Sequence, residues 1–276
     1  HALLGSLSFP VQLENLERQP LPDEYAVILN EHHPIERDLE RMKQVGHHGQ
    51  IEHSSMHTSF GAPVARVRKG RTSATVMARN ASFFSLHHGE VKLLGVQIGS
   101  LFMPGVVEMH SLRRTTDGYE LGARLEKGYS GPIPAEHLGQ SAAAEVSPWY
   151  LLPHQHRPRT HVQQHRVTVK IRQQDTLWEI EAASDEPEDV LTQISFFFPR
   201  GCSISGEGLV AGEGQVKLWT GGSILCESGK DRMEIMDGQQ DHLLWEIRHA
   251  ESPRGVQTLK VNLLTPFTKT FRIRLY

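Results

Sequence analysis

From Ala62 to the last residue, apolar and polar residues alternate with a period of two, and this constrains the fold more than any other feature. Successive side chains of a β-strand point to opposite faces, so such alternation marks strands with one buried face. "VARVRKGRTSATVMARN" reads as two strands joined at Lys69-Gly70. The pattern continues through "VKLLGVQIGS", "RVTVKIRQQ", "TLWEIEAAS", "VLTQISFFFP", "QVKLWTGG", "MEIMDG", "LLWEIRHA", "TLKVNLL" and "TFRIRLY". Gly, Pro, Asp or Asn bounds nearly every segment, and no second strong helix separates them, which argues against βαβ units. The expected fold is all-β: one large antiparallel β-sandwich of more than ten strands over residues 61–276.

Residues 1–60 read differently, as a short helical and irregular lead-in. In "HPIERDLERMKQVG", Ile35, Leu39, Met42 and Val45 share one helical stripe, with Pro34 early and Gly46 at the end. The opening "HALLGSLSFP" has neither Met nor the charged and apolar regions of a signal peptide, so the expectation is a mature product or a fragment. No apolar run approaches the ~20 residues that span a bilayer, so no membrane span is expected. A formal net charge of -3 supplies no global field favouring nucleic acid or an anionic membrane; attraction to a polyanion must be local. Two cysteines, Cys202 and Cys226, are too few for a disulfide framework, and the sequence leaves one bridge or two thiols equally open.

One internal echo stands out. From Leu177 and from Leu244 the chain repeats "LWEI", and the two stretches align without a gap up to Pro199 and Pro266. Each reads as a strand, a polar turn and a returning strand, which predicts two superposable hairpins with Trp178 and Trp245 buried alike.

Several enzyme signatures are missing. "GCSISG" and "GYSGP" do not supply G-x-S-x-G, and "GEGLVAGEG" lies between strands rather than before a helix. There is no Walker A and no H-E-x-x-H, so nucleotide chemistry and zincin proteolysis are disfavoured, and no cofactor is expected. The histidines fall in three groups: His32 to His57, then His87 with His88, then His154, His156, His161 and His165. No Cys or obvious carboxylate completes a metal set, so a polar connection is the expected role of His47 to His57, with no structural metal. Basic residues cluster at connections: Arg66, Arg68, Lys69 and Arg71 around one hairpin, with Arg113 and Arg114 in another. Arg66 and Arg68 share a strand face and present two guanidinium forks suited to carboxylate or sulfate. With Tyr119, Tyr129, Trp149 and Tyr150 nearby in sequence, these residues suggest a groove for an acidic polysaccharide or oligosaccharide.

The run "SFGAPVARVRKGRTSATVMARNASFFSLHHGEVKLLGVQIGS", followed by a long meander closing on "LLTPFTKTFRIRLY", resembles the C-terminal β-sandwich of heparinase II/III-like polysaccharide lyases. The resemblance covers about residues 60 to 276 and rests on a strand pattern. It implies a supersandwich of the galactose-mutarotase type, preceded in the family by a helical toroid that sixty residues cannot supply. It also implies a periplasmic or extracellular polysaccharide-processing protein whose sandwich lends a histidine and basic residues to a cleft. On that reading His87 and His88 are the catalytic candidates, and Arg66, Arg68, Arg71, Arg113 and Tyr119 the substrate-binding ones. Uronate β-elimination needs carboxylate neutralisation, a base and an acid, for which Arg, His and Tyr are suitable types. Two functions follow: an accessory sandwich that binds acidic glycan or packs on a toroid, and the C-terminal part of a lyase.

Overall fold

The computed structural model describes residues 53–57 by their backbone and residues 63–138, 152–185, 187–212 and 214–276 in full. The expected lead-in helix lies outside the described residues. The strands are β1 (His53–His57), β2 (Val64–Lys69), β3 (Thr72–Met77), β4 (Phe84–His88), β5 (Val91–Ser100), β6 (Gly105–Val106), β7 (Ser111–Arg114), β8 (Gly118–Ser130) and β9 (Arg159–Gln174). They continue as β10 (Leu177–Ser184), β11 (Leu191–Pro199), β12 (Ser203–Gly206), β13 (Leu209–Ala211), β14 (Val216–Trp219), β15 (Ser223–Ser228), β16 (Asp231–Met236), β17 (Val256–Leu264) and β18 (Phe267–Leu275). Among the described residues the only helical elements are 3-10 turns at Ala135–His137 and His154–His156.

The strands form two packed sheets. One has ten strands in the order β1-β2-β3-β4-β5-β11-β17-β14-β13, with β6 also on β5. The other has eight, in the order β12-β15-β16-β18-β10-β9-β8-β7. Pairing is antiparallel except where β14 runs parallel to β17. The all-β sandwich read from the alternation is therefore the fold, and the turn expected at Lys69-Gly70 joins β2 to β3.

The core lies between the sheets. Phe196 of β11 meets Phe271 of β18 edge-on at 5.0 Å between ring centroids, and Trp219 of β14 lies 6.1 Å from Phe196. Trp178 of β10 packs on Phe84 of β4 at 5.7 Å. Fully burying side chains of this size stabilises by about 1.5–3 kcal/mol each, so this aromatic seam fixes how the sheets face one another.

The internal echo does not survive. β10 and β11 lie in different sheets, so the first "LWEI" segment opens a crossover rather than a hairpin. Residues 242–246 are not a strand. Trp178 is 1% exposed, whereas Trp245 is 38% exposed. What the two stretches do share is their second halves, because β11 and β17 are antiparallel neighbours with Leu191 opposite Leu264. The physical reason for the miss is hydrogen bonding, since the backbone carbonyls of His242, Leu244 and Trp245 are taken by side chains of the sheet beneath them. His53 to His57 likewise form the edge strand β1, paired with β2, rather than an irregular connection.

Candidate functional site

Alternation along β2 to β5 decides which predicted residues meet. Ala65 is buried and Val67 packs against the core, so Arg66 and Arg68 emerge on the outer face of the ten-stranded sheet. Arg68 pairs across β2 and β3 with Ser73, Ser73 across β3 and β4 with His87, and His87 across β4 and β5 with Lys92. Three inter-strand spacings of about 4.8 Å make this a row about 14 Å long. Ser73 is small, so it leaves room between the longer side chains of Arg68 and His87. One pleat along, Arg66 starts a second row through Thr75 and Ser85. Burial, and secondarily the Lys92 ammonium, lower the pKa of His87, which is therefore a neutral imidazole at pH 7. Burial also lowers the pKa of the Arg66 guanidinium, which remains cationic.

His88 does something else. Consecutive residues on a strand point to opposite faces, so His88 shares the side of buried Leu86. Its Nδ1 lies 2.8 Å from the Thr72 hydroxyl. Beside it, Arg71 reaches across to β16 and binds Asp231 at 2.6 Å, and the Glu90 backbone N–H donates to the same carboxylate oxygen at 2.8 Å. The Glu90 N–H first, and then Arg71, hold the Asp231 carboxyl below its ordinary range against the opposing effect of burial. Gly89 has φ +55°, and a Cβ there would come within 2.1 Å of an Asp231 oxygen and 2.3 Å of an Arg71 nitrogen. This is a lock between the sheets. Of the residues expected to form the site, His88 and Arg71 thus lie at this lock and not in the row with His87.

Arg113 and Tyr119 belong to the other sheet. Arg113 on β7 grips Glu120 with Nε at 3.1 Å and Nη2 at 2.8 Å, and its side chain is 68% exposed. Tyr119 on β8 faces inward, near Trp178, beside a cavity of about 310 Å³ whose walls include Val67, Arg114 and Gln173. The single groove expected for Arg66, Arg68, His87, Arg113 and Tyr119 is thus divided. Three of the five share the outer face of the ten-stranded sheet; Arg113 and Tyr119 lie on the eight-stranded sheet. Trp149 and Tyr150 lie outside the described residues.

Sequence reasoning missed the centre of that outer face. Ser195 on β11 pairs with Gln97 on β5 and with Lys260 on β17, and Gln193 pairs with Gly99 and Asn262. Residues 239–252 cross over these rows as a strap. Gln193 Nε2 donates to the carbonyls of Leu244 and Trp245, both at 3.2 Å. Asn262 Nδ2 donates to those of His242 and Leu244 at 2.8 and 2.9 Å. The Lys260 side chain is 0% exposed, and its Nζ donates to Trp245 O at 3.0 Å and to Glu246 Oε1 at 3.1 Å. Burial lowers the pKa of Lys260 even though Glu246 supports its charge. Burial pushes Glu246 upward, but hydrogen bonding and attraction from Lys260 bring it below its usual value. At Gly99 a Cβ would come within 2.9 Å of Ala250 Cβ, so the missing side chain seats the strap. The available signal was polar residues at every second place in otherwise apolar strands: Gln193 and Ser195 in "LTQISFFFP", Lys260 and Asn262 in "TLKVNLL".

The fold and this face define an antiparallel β-sandwich with a polar, partly cationic outer face on its larger sheet. No family model matches the chain, and no curated protein matches it. Among solved structures, a 4-alpha-glucanotransferase from Thermococcus litoralis aligns with a TM-score of 0.38 at 10% identity, over 82% of this chain and 41% of that one. The chain therefore spans less than half of that protein, and a likeness at this level carries no argument about function. Among the described residues no helix is long and apolar enough to cross a membrane, and no group of three or more His, Cys, Asp or Glu is placed to hold a metal ion. Cys202 and Cys226 are both buried and unbonded.

Proposed function

We propose that this sandwich is part of a polysaccharide-processing protein and binds acidic glycan on the outer face of its ten-stranded sheet. The observation that supports this best is the row of Arg68, Ser73, His87 and Lys92, flanked by Arg66. Guanidinium forks bind carboxylate or sulfate through charge-assisted bonds, and the Ser73 hydroxyl and neutral His87 imidazole suit sugar hydroxyls. An accessory role, with the sandwich packed on an upstream helical toroid in the periplasm or outside the cell, accords with this face. The second reading, a uronate lyase, draws on the lowered pKa of His87, which leaves an unprotonated base beside cations able to neutralise a substrate carboxylate. Tyr119 is buried in the other sheet, so the acid for the leaving oxygen would come from elsewhere.

Titrating uronate tetrasaccharides and neutral tetrasaccharides into the protein tests the binding. Arg66→Gln combined with Arg68→Gln is expected to weaken the uronate about tenfold or more, in line with the loss of charge-assisted bonds, and to leave neutral sugars unchanged. Equal losses for both classes, or no binding of uronate by the unaltered protein, would falsify it. Release of an unsaturated uronate, abolished by His87→Ala, would select the lyase reading.

A further inference from the structure

We propose that the eight-stranded sheet carries a second site for acidic polysaccharide, where β8 and β9 leave the sandwich as a two-stranded ribbon. The choice of polymer rests on the acidic-glycan reading above; the site itself rests on different residues. β7 pairs with β8 only as far as Gly122, and β10 pairs with β9 only as far as Thr168. β8 and β9 continue together to Ser130 and Arg159. On the outer side of this ribbon Arg124 stands directly opposite Arg166. Like charges in such a cross-strand pair repel, so the position favours an anion between them.

The compensation on hand is partial. Arg124 Nη2 reaches Glu126 at 2.8 Å, and the same carboxylate accepts from Gln164 at 3.2 Å. Arg166 finds only the Gln164 amide oxygen, at 3.3 Å. Arg159 follows, its guanidinium lying against Gly128, and Lys127 sits 5.5 Å from the centre of the Tyr129 ring on the opposite side. Along this ribbon Arg124, Lys127, Arg159 and Arg166 stand with one ribbon carboxylate, Glu126, and with Asp185 in the adjoining groove, in a chain whose net charge is -3. A groove of about 550 Å³ begins at Arg166 and is lined by Thr168, Ser184, Asp185 and Thr268. A sugar carboxylate or sulfate fits the Arg124–Arg166 bank. Sugar hydroxyls fit Thr168, Thr268 and the accepting carboxylate of Asp185 on the far bank.

Nucleic acid fits less well. Tyr129 is already stacked on His161 at 4.4 Å with its hydroxyl on Gln163, and His137 is stacked on His156 at 3.8 Å. The ribbon therefore offers no open aromatic platform for bases.

Calorimetric titration of the full chain with heparin, uncharged dextran and single-stranded poly(dT) tests the site, both in the original protein and with Arg66→Gln and Arg68→Gln in place. With the sheet-face arginines gone, heparin binding is expected to persist and to weaken as salt rises. Adding Arg124→Gln and Arg166→Gln should then lower its affinity about tenfold or more, while Arg124→Lys with Arg166→Lys keeps most of it. An unchanged melting temperature in each variant confirms that the fold is intact. Heparin binding abolished by the sheet-face substitutions alone, with no response to the ribbon substitutions, overturns this site and leaves the sheet face standing. The reverse pattern supports the ribbon and removes the sheet face. Tighter binding of poly(dT) than of heparin, equal binding of dextran, or no heparin binding at all overturns the ribbon site.

Discussion

The outer faces of the two sheets keep polar groups in opposite ways. On the eight-stranded sheet the charges face water and pair with one another: Arg113 with Glu120, Lys170 with Glu181, Arg272 with Asp237. At the centre of the ten-stranded sheet the polar groups are roofed by the strap, and one ammonium, Lys260, is wholly buried. The difference teaches where a charge matters for stability. In water two long side chains gain little by meeting, with a median of about 0–1 kcal/mol. Under the strap, the donors are themselves buried, and removing one leaves fewer partners for the carbonyls of His242, Leu244 and Trp245.

The largest expected effect lies on the roofed face. Lys260→Ala removes one of the two donors to Trp245 O and the buried ammonium that pairs with Glu246, and is expected to cost roughly 3 kcal/mol, or about 6–12 °C in melting temperature. That sits at the low end for a broken buried pair because Glu246 is partly solvated. A loss under about 0.5 kcal/mol in denaturant unfolding would mean that the two faces are energetically alike.

An intermediate effect concerns His242. Its Nε2–H donates to Thr192 O at 3.1 Å, while its Nδ1 accepts from the Leu244 N–H at 3.2 Å. Only a neutral ring can do both, and burial lowers its pKa from the ordinary value. The unfolded chain takes up this proton near pH 6.5, the folded chain only at lower pH. The stability contributed by the neutral ring is thus full above about pH 6.5 and is lost as pH falls below it. Hydrogen exchange at the Leu244 amide should accelerate on acidification relative to the amides of β9 and β10. His242→Gln should flatten that response; if it does not, the strap is held independently of this imidazole.

The smallest effect belongs to the open face. Arg113→Ala is expected to change stability by no more than about 0.5 kcal/mol, with little dependence on salt. A loss above 2 kcal/mol would show that the open ion pairs carry structural weight as well.

The same contrast explains what the sequence disclosed. Period-two alternation in β2, β3, β10 and the first half of β5 reports a single buried face, so strand identity and the shared face of Arg66 and Arg68 were legible. β11 and β17 are buried on both sides, by the core below and the strap above, and that double burial is written only as isolated polar residues in apolar strands. "LLWEI" carries strand-like residues, yet its carbonyls are claimed by Gln193, Lys260 and Asn262, partners invisible in a local window. Adjacency misled in the same way. His87 and His88 are neighbours in the chain, but the pleat sends one to the outer surface and the other toward the Arg71–Asp231 lock.

The way the strap is fastened has a consequence for variation among descendants of this chain. Gln193, Lys260 and Asn262 grip it chiefly by main-chain carbonyl oxygens, which every amino acid possesses. Leu243, 79% exposed between two such anchors, is free of any part in the fastening. Substitution at Leu243, and at other outward positions of residues 239–252, therefore leaves the clamp intact. Selection can rewrite the outward text of this segment while the sheet goes on holding the same ribbon of peptide bonds, as a frame holds whatever picture is placed in it.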